Sequence, residues 1–371
     1  MKSFFEEKRI LITGACGTVG RELIRQLLEH YGVRELIGID NNESELFFLE
    51  QQFSRHDNAH FFLGDVRDYN KLLVKLRGMN IVFHTAAFKH VILCERSPFE
   101  AVQTNIIGLN NLIAAARETT VERLIFTSSD KAVNPTSVMG TSKLMGERLI
   151  TAAHSNLREN GTIFASTRFG NVLGSRGSVI PIFREQIRHG GPVTLTDPEM
   201  TRFIMSIEEA ARLVIDSTMI AKGGEVFVTK MPVIRIRDLA AVMIQELAPN
   251  YGHRPEEIAV EVIGFKPGEK IFEELMSYEE VRRTVELERY FAVLPAYRSL
   301  YCNTEYGYDA IVSETVDKPY NSSTEKPMNL DELKSFIERN NLLSEDIGEP
   351  YTPKERYWPG SDGSDKCRNH N

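Results

Sequence analysis

The sequence has few cysteines, one tryptophan and no long apolar run. Its 371 residues include only 4 Cys, all far apart in the chain, and 1 Trp. Widely spaced cysteines in a chain of this length are typical of reduced thiols and not of a disulfide framework or a metal site. No apolar run approaches the roughly 18 residues that a membrane-spanning helix needs, and acidic residues near the N-terminus are atypical of a signal peptide. We therefore expect a cytoplasmic protein without a membrane segment or a bound metal.

The chain also lacks an excess of positive charge. It has 44 Lys and Arg against 52 Asp and Glu, which gives a formal net charge of −8. Nucleic acids and anionic membrane surfaces bind clustered basic residues, so neither is an expected partner. Hydrophobic residues make up 42% and charged residues 26% of the chain. This balance is typical of a globular protein and not of a disordered, collagenous or coiled-coil chain.

Short apolar runs alternate with amphipathic stretches in the first half of the chain. Runs typical of buried strands lie at 9–13, 35–39, 60–63, 80–84, 123–127 and 163–167. Apolar residues at helical spacing lie between and after them, at 19–30, 44–54, 69–76, 99–118 and 138–158. This alternation predicts the α/β class, with a doubly wound parallel sheet of the Rossmann type. The ligand site of such a sheet lies at the carboxyl ends of its strands.

The alternation breaks after about residue 170, where glycine and proline become frequent. Helical spacing returns at 207–221 and 236–248, with a strand-like run at 225–230 between them. Segment 258–300 is predicted to contain a short strand, a Gly/Pro loop and a charged helix.

These patterns predict two domains and a tail. Residues 1–170 are expected to form a nucleotide-binding domain, which 205–230 rejoin. Residues 171–345 are expected to form mainly a smaller, mixed C-terminal lobe that binds the substrate. Residues 346–371 have no periodicity and are predicted to be disordered.

A glycine-rich loop, residues 13–20 (TGACGTVG), joins the first strand to an amphipathic helix. Glycines let the backbone approach a pyrophosphate closely, and the free N–H groups at the helix start hold its charge. Asp40 ends the second strand, where its carboxylate would accept hydrogen bonds from the adenosine ribose and repel a 2′-phosphate. Asn41 follows it, not an arginine. The pattern predicts NAD, with NADP as the second choice.

The expected cofactor contacts extend beyond this loop. Asp65 and Val66 follow the third strand, where an acid could bind the adenine amino group, although a plain polar turn explains them nearly as well. The full set of expected cofactor residues is Thr13, Gly14, Gly17, Thr18, Val19, Gly20, Asp40, Asn41, Asp65, Val66, Ala86, Ala87 and Lys143.

An acid and an amine stand side by side after the fifth strand. Ser129 ends that strand, and Asp130 and Lys131 follow it. The next helix presents Met139 and Lys143, whose spacing of four places both side chains on one helix face. We expect this face to be directed at the strand end.

With these residues the chain resembles the extended short-chain dehydrogenase/reductase family. More narrowly, it is similar to the soluble bacterial dehydratases that act on UDP-N-acetylglucosamine in polysaccharide and pseudaminic acid biosynthesis. The resemblance extends to about residue 345 and rests on seven blocks in order. They are the glycine loop, HTAAFKHV (84–91), SSDKAVNPTSVMGTSK (128–143), TRFGNVLGSRGSVIP (167–181), LTDPEMTRFIM (195–205), GFKPGEKIFEEL (264–275) and RRTVELERYFAVLP (282–295).

The resemblance implies a lyase whose NAD is tightly bound and recycled. C4 of the UDP-sugar is oxidised, Lys131 or a water that it controls removes the C5 proton, and Asp130 protonates the departing C6 hydroxyl. Return of the hydride to C6 and of a proton to C5 gives a UDP-4-keto-6-deoxy sugar. The RRTVELERYFAVLP block resembles the branch that inverts C5, and arrest at the 5,6-ene is the other outcome.

The family tyrosine that takes the C4 hydroxyl proton is replaced by Met139. A thioether does no acid–base chemistry, so Met139 is interpreted as a residue that shapes the pocket. Ser129 together with Lys143 is predicted to take the proton instead.

The resemblance also implies a set of substrate contacts and an assembly. Segments 99–118 and 138–158 match helices through which family members dimerise, so a homodimer or larger homo-oligomer is expected. His84 and His90 are interpreted as structural. The expected substrate-binding residues are Lys89, Asn171, Thr194, Leu195, Thr196, Arg202 and Glu269.

Two other functions stay open. A UDP-hexose 4-epimerase would use the same loop and the same C4 oxidation, but it usually keeps the tyrosine and has no need of the Asp130–Lys131 pair. A non-catalytic, NAD-binding regulatory or scaffold protein would have no need of Asp130, Lys131 and Lys143 together.

Overall fold

The computed structural model describes residues 2–156, 161–175, 177–264, 268–297 and 304–344. The tail predicted at 346–371 lies outside these residues. The strands, in chain order, are β1 (Arg9–Thr13), β2 (Glu35–Asp40), β3 (Ala59–Leu63), β4 (Ile81–His84), β5 (Arg123–Ser129), β6 (Ile163–Phe169), β7 (Asn171–Val172), β8 (Val193–Leu195), β9 (Thr201–Met205), β10 (Val226–Thr229), β11 (Val233–Arg235), β12 (Val260–Val262), β13 (Glu274–Met276), β14 (Thr284–Leu287), β15 (Tyr290–Val293), β16 (Ile311–Ser313) and β17 (Tyr320–Asn321).

The helices surround these strands. They are α1 (Lys2–Phe5), α2 (Thr18–His30), α3 (Glu43–Gln52), α4 (Tyr69–Leu76), α5 (Val91–Arg96), α6 (Pro98–Ala101), α7 (Gly108–Arg117), α8 (Val138–Ser155), α9 (Val179–Arg188), α10 (Ile207–Ile220), α11 (Ile236–Leu247), α12 (Tyr278–Val281) and α13 (Leu330–Arg339). Within the described residues, no helix is long and apolar enough to cross a membrane.

The main sheet has ten strands in the order β16-β14-β15-β10-β6-β5-β4-β1-β2-β3. Every pairing from β3 through β10 is parallel, whereas β10 pairs with β15 in antiparallel fashion. The order 3-2-1-4-5-6 reverses direction at β1, which is the topology of a doubly wound nucleotide-binding sheet. The predicted fold class is confirmed.

Helices cover both faces of this sheet. In β1, Ile10 and Ile12 pack in the same hydrophobic cluster as residues of α2 and α10, whereas Leu11 packs with α4, α7 and α8 on the other face. Successive strand residues point to opposite faces, so a strand that is covered on both sides is apolar throughout. This explains why the strands appear in the sequence as continuous apolar runs.

Segment 99–118, predicted as one helix, is divided into three parts. A π-helical segment, Val102–Ile107, lies between α6 and α7. Its Asn105 side chain accepts a hydrogen bond from Phe88 N at 2.8 Å and donates to Phe88 O and Ser142 Oγ at 3.0 and 2.9 Å. The irregular turn thus holds the loop after β4 against α8.

The prediction of a charged helix within 258–300 is wrong, except for the single helical turn of α12. The segment instead forms the antiparallel pair β14 and β15, joined to the main sheet through β10. All four residues of β15 are buried. The burial of these residues in the sheet favours strands here, although the charges of Glu286, Glu288 and Arg289 suggested an exposed helix. The expected short strand in this segment corresponds to β12.

A second hydrophobic cluster forms beyond the end of β6. It joins α9, α11 and α13 with β8 and β9, through residues such as Phe183, Leu239 and Phe336. β7 begins two residues after β6 ends and pairs with β9, not with the main sheet. The smaller lobe therefore faces the carboxyl ends of the parallel strands.

A buried guanidinium connects the sheet, α8 and the C-terminal segment. Arg168, on β6, donates to both oxygens of Glu147 at 2.8 and 2.6 Å, to both oxygens of Glu280 at 2.9 and 2.7 Å, and to Leu275 O at 2.9 Å. Glu280 is buried, which alone would raise its pKa, but Arg168 outweighs this effect and lowers the pKa to about 2. The Glu280 carboxyl is therefore ionised at neutral pH, paired with the Arg168 guanidinium.

Replacing Arg168 with Met tests this connection. Glu147 and Glu280 would be left buried without a cation, so we expect the free energy of unfolding to fall by about 3–5 kcal/mol. Urea denaturation measures the change. Arg254→Met is the control, because Arg254 and Glu257 form an exposed pair that contributes about 1 kcal/mol or less. Equal effects of the two substitutions would contradict the role of Arg168.

Candidate active site

A cavity of about 1130 Å³ lies at the carboxyl ends of the parallel strands. It extends from the glycine loop, past the ends of β4 and β5, to β8 and β9 of the smaller lobe. Every residue that the sequence predicted for the site lines this cavity except Thr13. The structure thus brings the expected cofactor, catalytic and substrate residues to one continuous space.

The glycine loop packs so closely that side chains are excluded. Gly14 has a φ of +72°, and a Cβ on it would lie 2.5 Å from Ala86 N. A Cβ on Gly20 would lie 2.2 Å from Gly14 O. Gly17 precedes α2 without a side-chain cap, so the N–H groups that begin the helix are available to a ligand. This backbone fits the pyrophosphate of a dinucleotide.

Asp40 is fixed at the end of β2 beside this loop. Its two carboxylate oxygens accept hydrogen bonds from Cys16 N and Asn42 N, each at 3.0 Å. Asp65 lies after β3, where hydrogen bonds from Arg67 lower the pKa of its carboxyl. Two acidic side chains, Asp40 and Asp65, therefore stand at the end of the cavity where the ribose and adenine of a dinucleotide would lie.

Thr13 requires a correction. Its side chain is fully buried in β1, and its hydroxyl lies 2.7 Å from His84 Nδ1. Burial, with a smaller effect of Lys143, lowers the pKa of His84 to about 3, so this imidazole is neutral. The side chain of Thr13 thus supports the loop from beneath and does not contact a ligand.

Ser129, Asp130 and Lys131 form one hydrogen-bonded group at the end of β5. The Ser129 hydroxyl donates to Asp130 Oδ1 at 2.6 Å, and Lys131 Nζ donates to the same oxygen at 3.0 Å. Burial alone would lower the pKa of Lys131, but the charges of Asp130 and Glu273 outweigh it and raise the pKa. Without substrate, Lys131 is therefore an ammonium ion paired with a carboxylate.

Glu273 is the charged residue that the sequence reasoning missed. Its Oε1 lies 3.4 Å from Lys131 Nζ and 3.8 Å from Arg202 Nε. The block GEKIFEEL contains Glu269, Glu273 and Glu274, and only the three-dimensional structure shows which of them reaches Lys131. Glu273 directly precedes β13, and no local sequence pattern distinguishes it from Glu269 and Glu274.

Lys143 lies in a different environment from Lys131. Its Nζ donates to Thr127 O at 2.9 Å and lies 4.8 Å from the centre of the Phe126 ring. Burial lowers its pKa to about 8, although Glu147 opposes this. Met139 packs with Cys94 and Ala101 in a small apolar cluster. α8 therefore presents the Lys143 amine, which loses its proton easily, next to Met139, which has no ionisable group.

The expected substrate residues line the far end of the cavity. The Thr194 side chain accepts a hydrogen bond from Gln186 Nε2 at 2.8 Å, which fixes β8 against α9. Arg202 donates to the carbonyl oxygens of Thr201, Lys270 and Ile271, so it holds the segment that follows Glu269. Among the residues that the structure describes, no group of three or more His, Cys, Asp or Glu side chains is placed to hold a metal ion.

Known proteins share both the sequence and the fold. Residues 10–295 match the family described as polysaccharide biosynthesis protein. An uncharacterized membrane protein of Methanocaldococcus jannaschii is 45% identical over 343 residues, which are 92% of this chain and 99% of that protein. A Campylobacter jejuni UDP-N-acetylglucosamine 4,6-dehydratase (inverting) is 36% identical over 308 residues, 83% of this chain and 89% of the relative. A Rickettsia canadensis UDP-glucose 4-epimerase is 32% identical over 346 residues, 92% of this chain and 99% of the relative.

The solved structure of Pen from Bacillus thuringiensis has the same fold. It superimposes with a TM-score of 0.85 at 39% identity and covers 92% of this chain and 100% of that one. These matches confirm the resemblance found in the seven sequence blocks. The chain belongs to the polysaccharide biosynthesis protein family, in the nucleotide-sugar dehydratase subgroup of the extended short-chain dehydrogenase/reductases.

Proposed function

We propose that the protein is an NAD-dependent UDP-N-acetylglucosamine 4,6-dehydratase. The observation that carries this proposal is the hydrogen bond between Asp130 and Lys131 at the wall of the cavity. Dehydration needs an acid for the C6 hydroxyl and a base for the C5 proton, whereas 4-epimerisation needs neither. The 36% identical Campylobacter relative bears the name of this activity.

The cavity fits the cofactor at its glycine-loop end. Gly14, Gly17 and Gly20 would approach the pyrophosphate, and Asp40 would accept hydrogen bonds from the adenosine ribose. The chemistry that NAD supplies when bound is reversible hydride acceptance. The protein residues supply the rest, which is orientation and proton transfer.

Asp130 and Lys131 can act as an acid and a base because one proton can move between them. Transfer of a proton from Lys131 Nζ to Asp130 Oδ1 across their hydrogen bond gives a neutral amine and a neutral carboxylic acid at once. The amine then takes the C5 proton, which is acidic beside a C4 ketone, and the acid protonates the C6 hydroxyl that leaves as water. The ammonium–carboxylate pair is restored, so the step balances in protons.

The proton of the C4 hydroxyl needs an acceptor other than Met139. Lys143 fits this role, because a pKa of about 8 leaves about a tenth of the amine neutral at pH 7. Ser129 was predicted to share the role, and its hydroxyl is engaged by Asp130. We therefore assign the C4 proton to Lys143, with Ser129 as part of the acid–base group at C5 and C6.

The stereochemistry at C5, the oligomeric state and the cellular location stay proposals. Inversion at C5 is favoured over arrest at the 5,6-ene, because the Campylobacter relative is named as inverting. A homodimer is favoured by exposed apolar side chains on α5, α6 and α8, such as Leu93, Phe99 and Met145. A cytoplasmic location stays a prediction from the sequence.

The second candidate is a 4-epimerase. The Rickettsia relative that bears this name matches almost the whole chain, so similarity alone does not exclude it. A non-catalytic scaffold is the third candidate, and the buried Asp130 weighs against it because an unneeded buried carboxylate costs stability.

Incubation with UDP-N-acetylglucosamine in heavy water tests the function. We expect a product that has lost one water and carries deuterium at C5, and NMR couplings at C5 show which face was protonated. A product with an exocyclic alkene would mean that the reaction stops before hydride returns. Formation of UDP-N-acetylgalactosamine would establish the epimerase instead, and unchanged substrate with bound NAD would contradict both enzymes.

The variant Lys131→Ala separates catalysis from cofactor binding. Loss of the base should lower the dehydration rate by about 10²–10⁴-fold, while NAD stays bound, as measured by the nucleotide released on denaturation. Lys230→Ala is the matched control, since Lys230 pairs with Glu286 at the surface. A scaffold protein would show no difference between the variants, and an epimerase would keep its activity in both.

The variant Asp40→Asn tests the preference for NAD. Removal of the carboxylate charge should lower the ratio of the Kd for NADP to the Kd for NAD by about 10-fold or more, as measured by calorimetry on cofactor-free protein. Asp68→Asn is the control, because Asp68 caps α4 and asparagine caps a helix equally well. Tighter binding of NADP than of NAD by the unmodified protein would contradict the assignment.

A further inference from the structure

Glu273 lies beside Lys131 and is not among the residues that line the large cavity. It is 3% exposed, and its backbone N–H donates to Ser322 Oγ at 2.9 Å. Oε1 is the oxygen that faces the two cations, Lys131 Nζ at 3.4 Å and Arg202 Nε at 3.8 Å. Oε2 is buried and has no hydrogen-bond partner among the residues that the structure describes. Lys131 Nζ thus lies near a carboxyl group that is not part of the cavity lining as well as near Asp130, which is.

The charges around Glu273 come from three parts of the chain. Asp130 and Lys131 lie in the turn after β5, Arg202 lies on β9, and Lys270 lies in the loop before β13. Burial and the charge of Asp130 raise the pKa of Glu273, and the three cations oppose this. Lys131 Nζ lies near two carboxyl groups, Asp130 at 3.0 Å and Glu273 at 3.4 Å, of which only Asp130 lines the cavity.

A carboxylate that serves only to hold the fold looks different in this protein. Glu280, seven residues along the chain, uses both oxygens in hydrogen bonds with Arg168 and also accepts one from Ser277 N. Glu273 leaves one buried oxygen without a partner, an arrangement that costs free energy. Its placement is therefore explained better by its effect on Lys131 than by its contribution to stability.

We propose that Glu273 is a positioning residue of the dehydration centre: its carboxylate holds Lys131 Nζ against Asp130 and sets the pH range in which that pair shares a single proton. This inference rests on the proposed function. The physical basis is that a negative charge beside the pair favours the protonated form of both neighbours. Loss of the charge therefore moves the working range of the pair to lower pH.

The first measurement needs no substrate. Competitive acetylation at pH 8, read by peptide mass spectrometry, follows the fraction of Lys131 present as free amine, with Lys318 as the internal reference. A fall of one unit in the pKa of Lys131 raises this fraction about tenfold. We expect Glu273→Gln to raise the labelling of Lys131 by about tenfold or more.

Glu274→Gln is the matched control. Glu274 is the next residue, and it accepts a hydrogen bond from Asn134 instead of contacting Lys131. We expect its effect on the labelling to stay within about twofold. Glu273→Asp keeps the charge but withdraws it from Nζ, so we expect a smaller rise than with Gln. The Asp variant also keeps the test decisive if the Gln variant fails to fold.

The second measurement is the pH dependence of dehydration. Both limbs of the profile should move to lower pH by about one unit in Glu273→Gln, with KM for UDP-N-acetylglucosamine changed less than about threefold. A merely structural residue would lower the rate without moving the limbs. Unchanged labelling and an unchanged profile in a folded Glu273 variant would overturn the proposal.

The two measurements also separate this inference from the proposed function. If the unmodified protein does not dehydrate the substrate and the labelling still responds to Glu273→Gln, the function is wrong and the effect of Glu273 on Lys131 stands. If dehydration occurs and the labelling does not respond, the function stands and the role of Glu273 is wrong.

Discussion

The placement of the catalytic groups depends on one buried cation. The Arg168 guanidinium has five N–H donors, and five hydrogen bonds engage them. A buried charge is tolerated only when it is fully paired, so the strand, the helix and the C-terminal segment that supply its partners have one possible arrangement. α8 carries Lys143, and the segment before Leu275 carries Glu273. The distances between both residues and the end of β5 follow from this arrangement.

Two lysines near the end of β5, the half-buried Lys131 and the buried Lys143, have opposite electrostatic environments. Lys131 lies near two carboxyl groups, so its pKa is raised, whereas Lys143 contacts a backbone carbonyl and an aromatic ring, and its pKa is lowered to about 8. Groups whose environments push their pKa values apart suit different steps of one reaction. Lys143 is suited to accept a proton from a hydroxyl at neutral pH. In the proposed reaction, Lys131 would have to transfer its proton to Asp130 before it could act as a base.

Features that depend on neighbouring residues could be predicted from the sequence, and features that depend on distant ones could not. The glycine loop, Asp40 and the Asp130–Lys131 pair each lie within a few residues of the strand that positions them. Glu273 contacts Lys131 across 142 positions of the chain, and no local pattern indicates such a contact. β14 and β15 were misread as a helix for the same reason, because their burial comes from pairing with β10.

Met139, which replaces the family tyrosine, and Lys143 lie four residues apart on α8 and differ in their chemistry. A phenol at position 139 would place a polar hydroxyl on the helix face that Lys143 shares. Met139 instead extends the apolar surface formed by Cys94 and Ala101, and desolvation is the largest influence on the Lys143 amine. Met139 thus offers no proton acceptor on this face, and the lowered pKa of Lys143 comes first from the burial of its own amine. In the proposed reaction, Lys143 and not a residue at position 139 would therefore take the C4 proton.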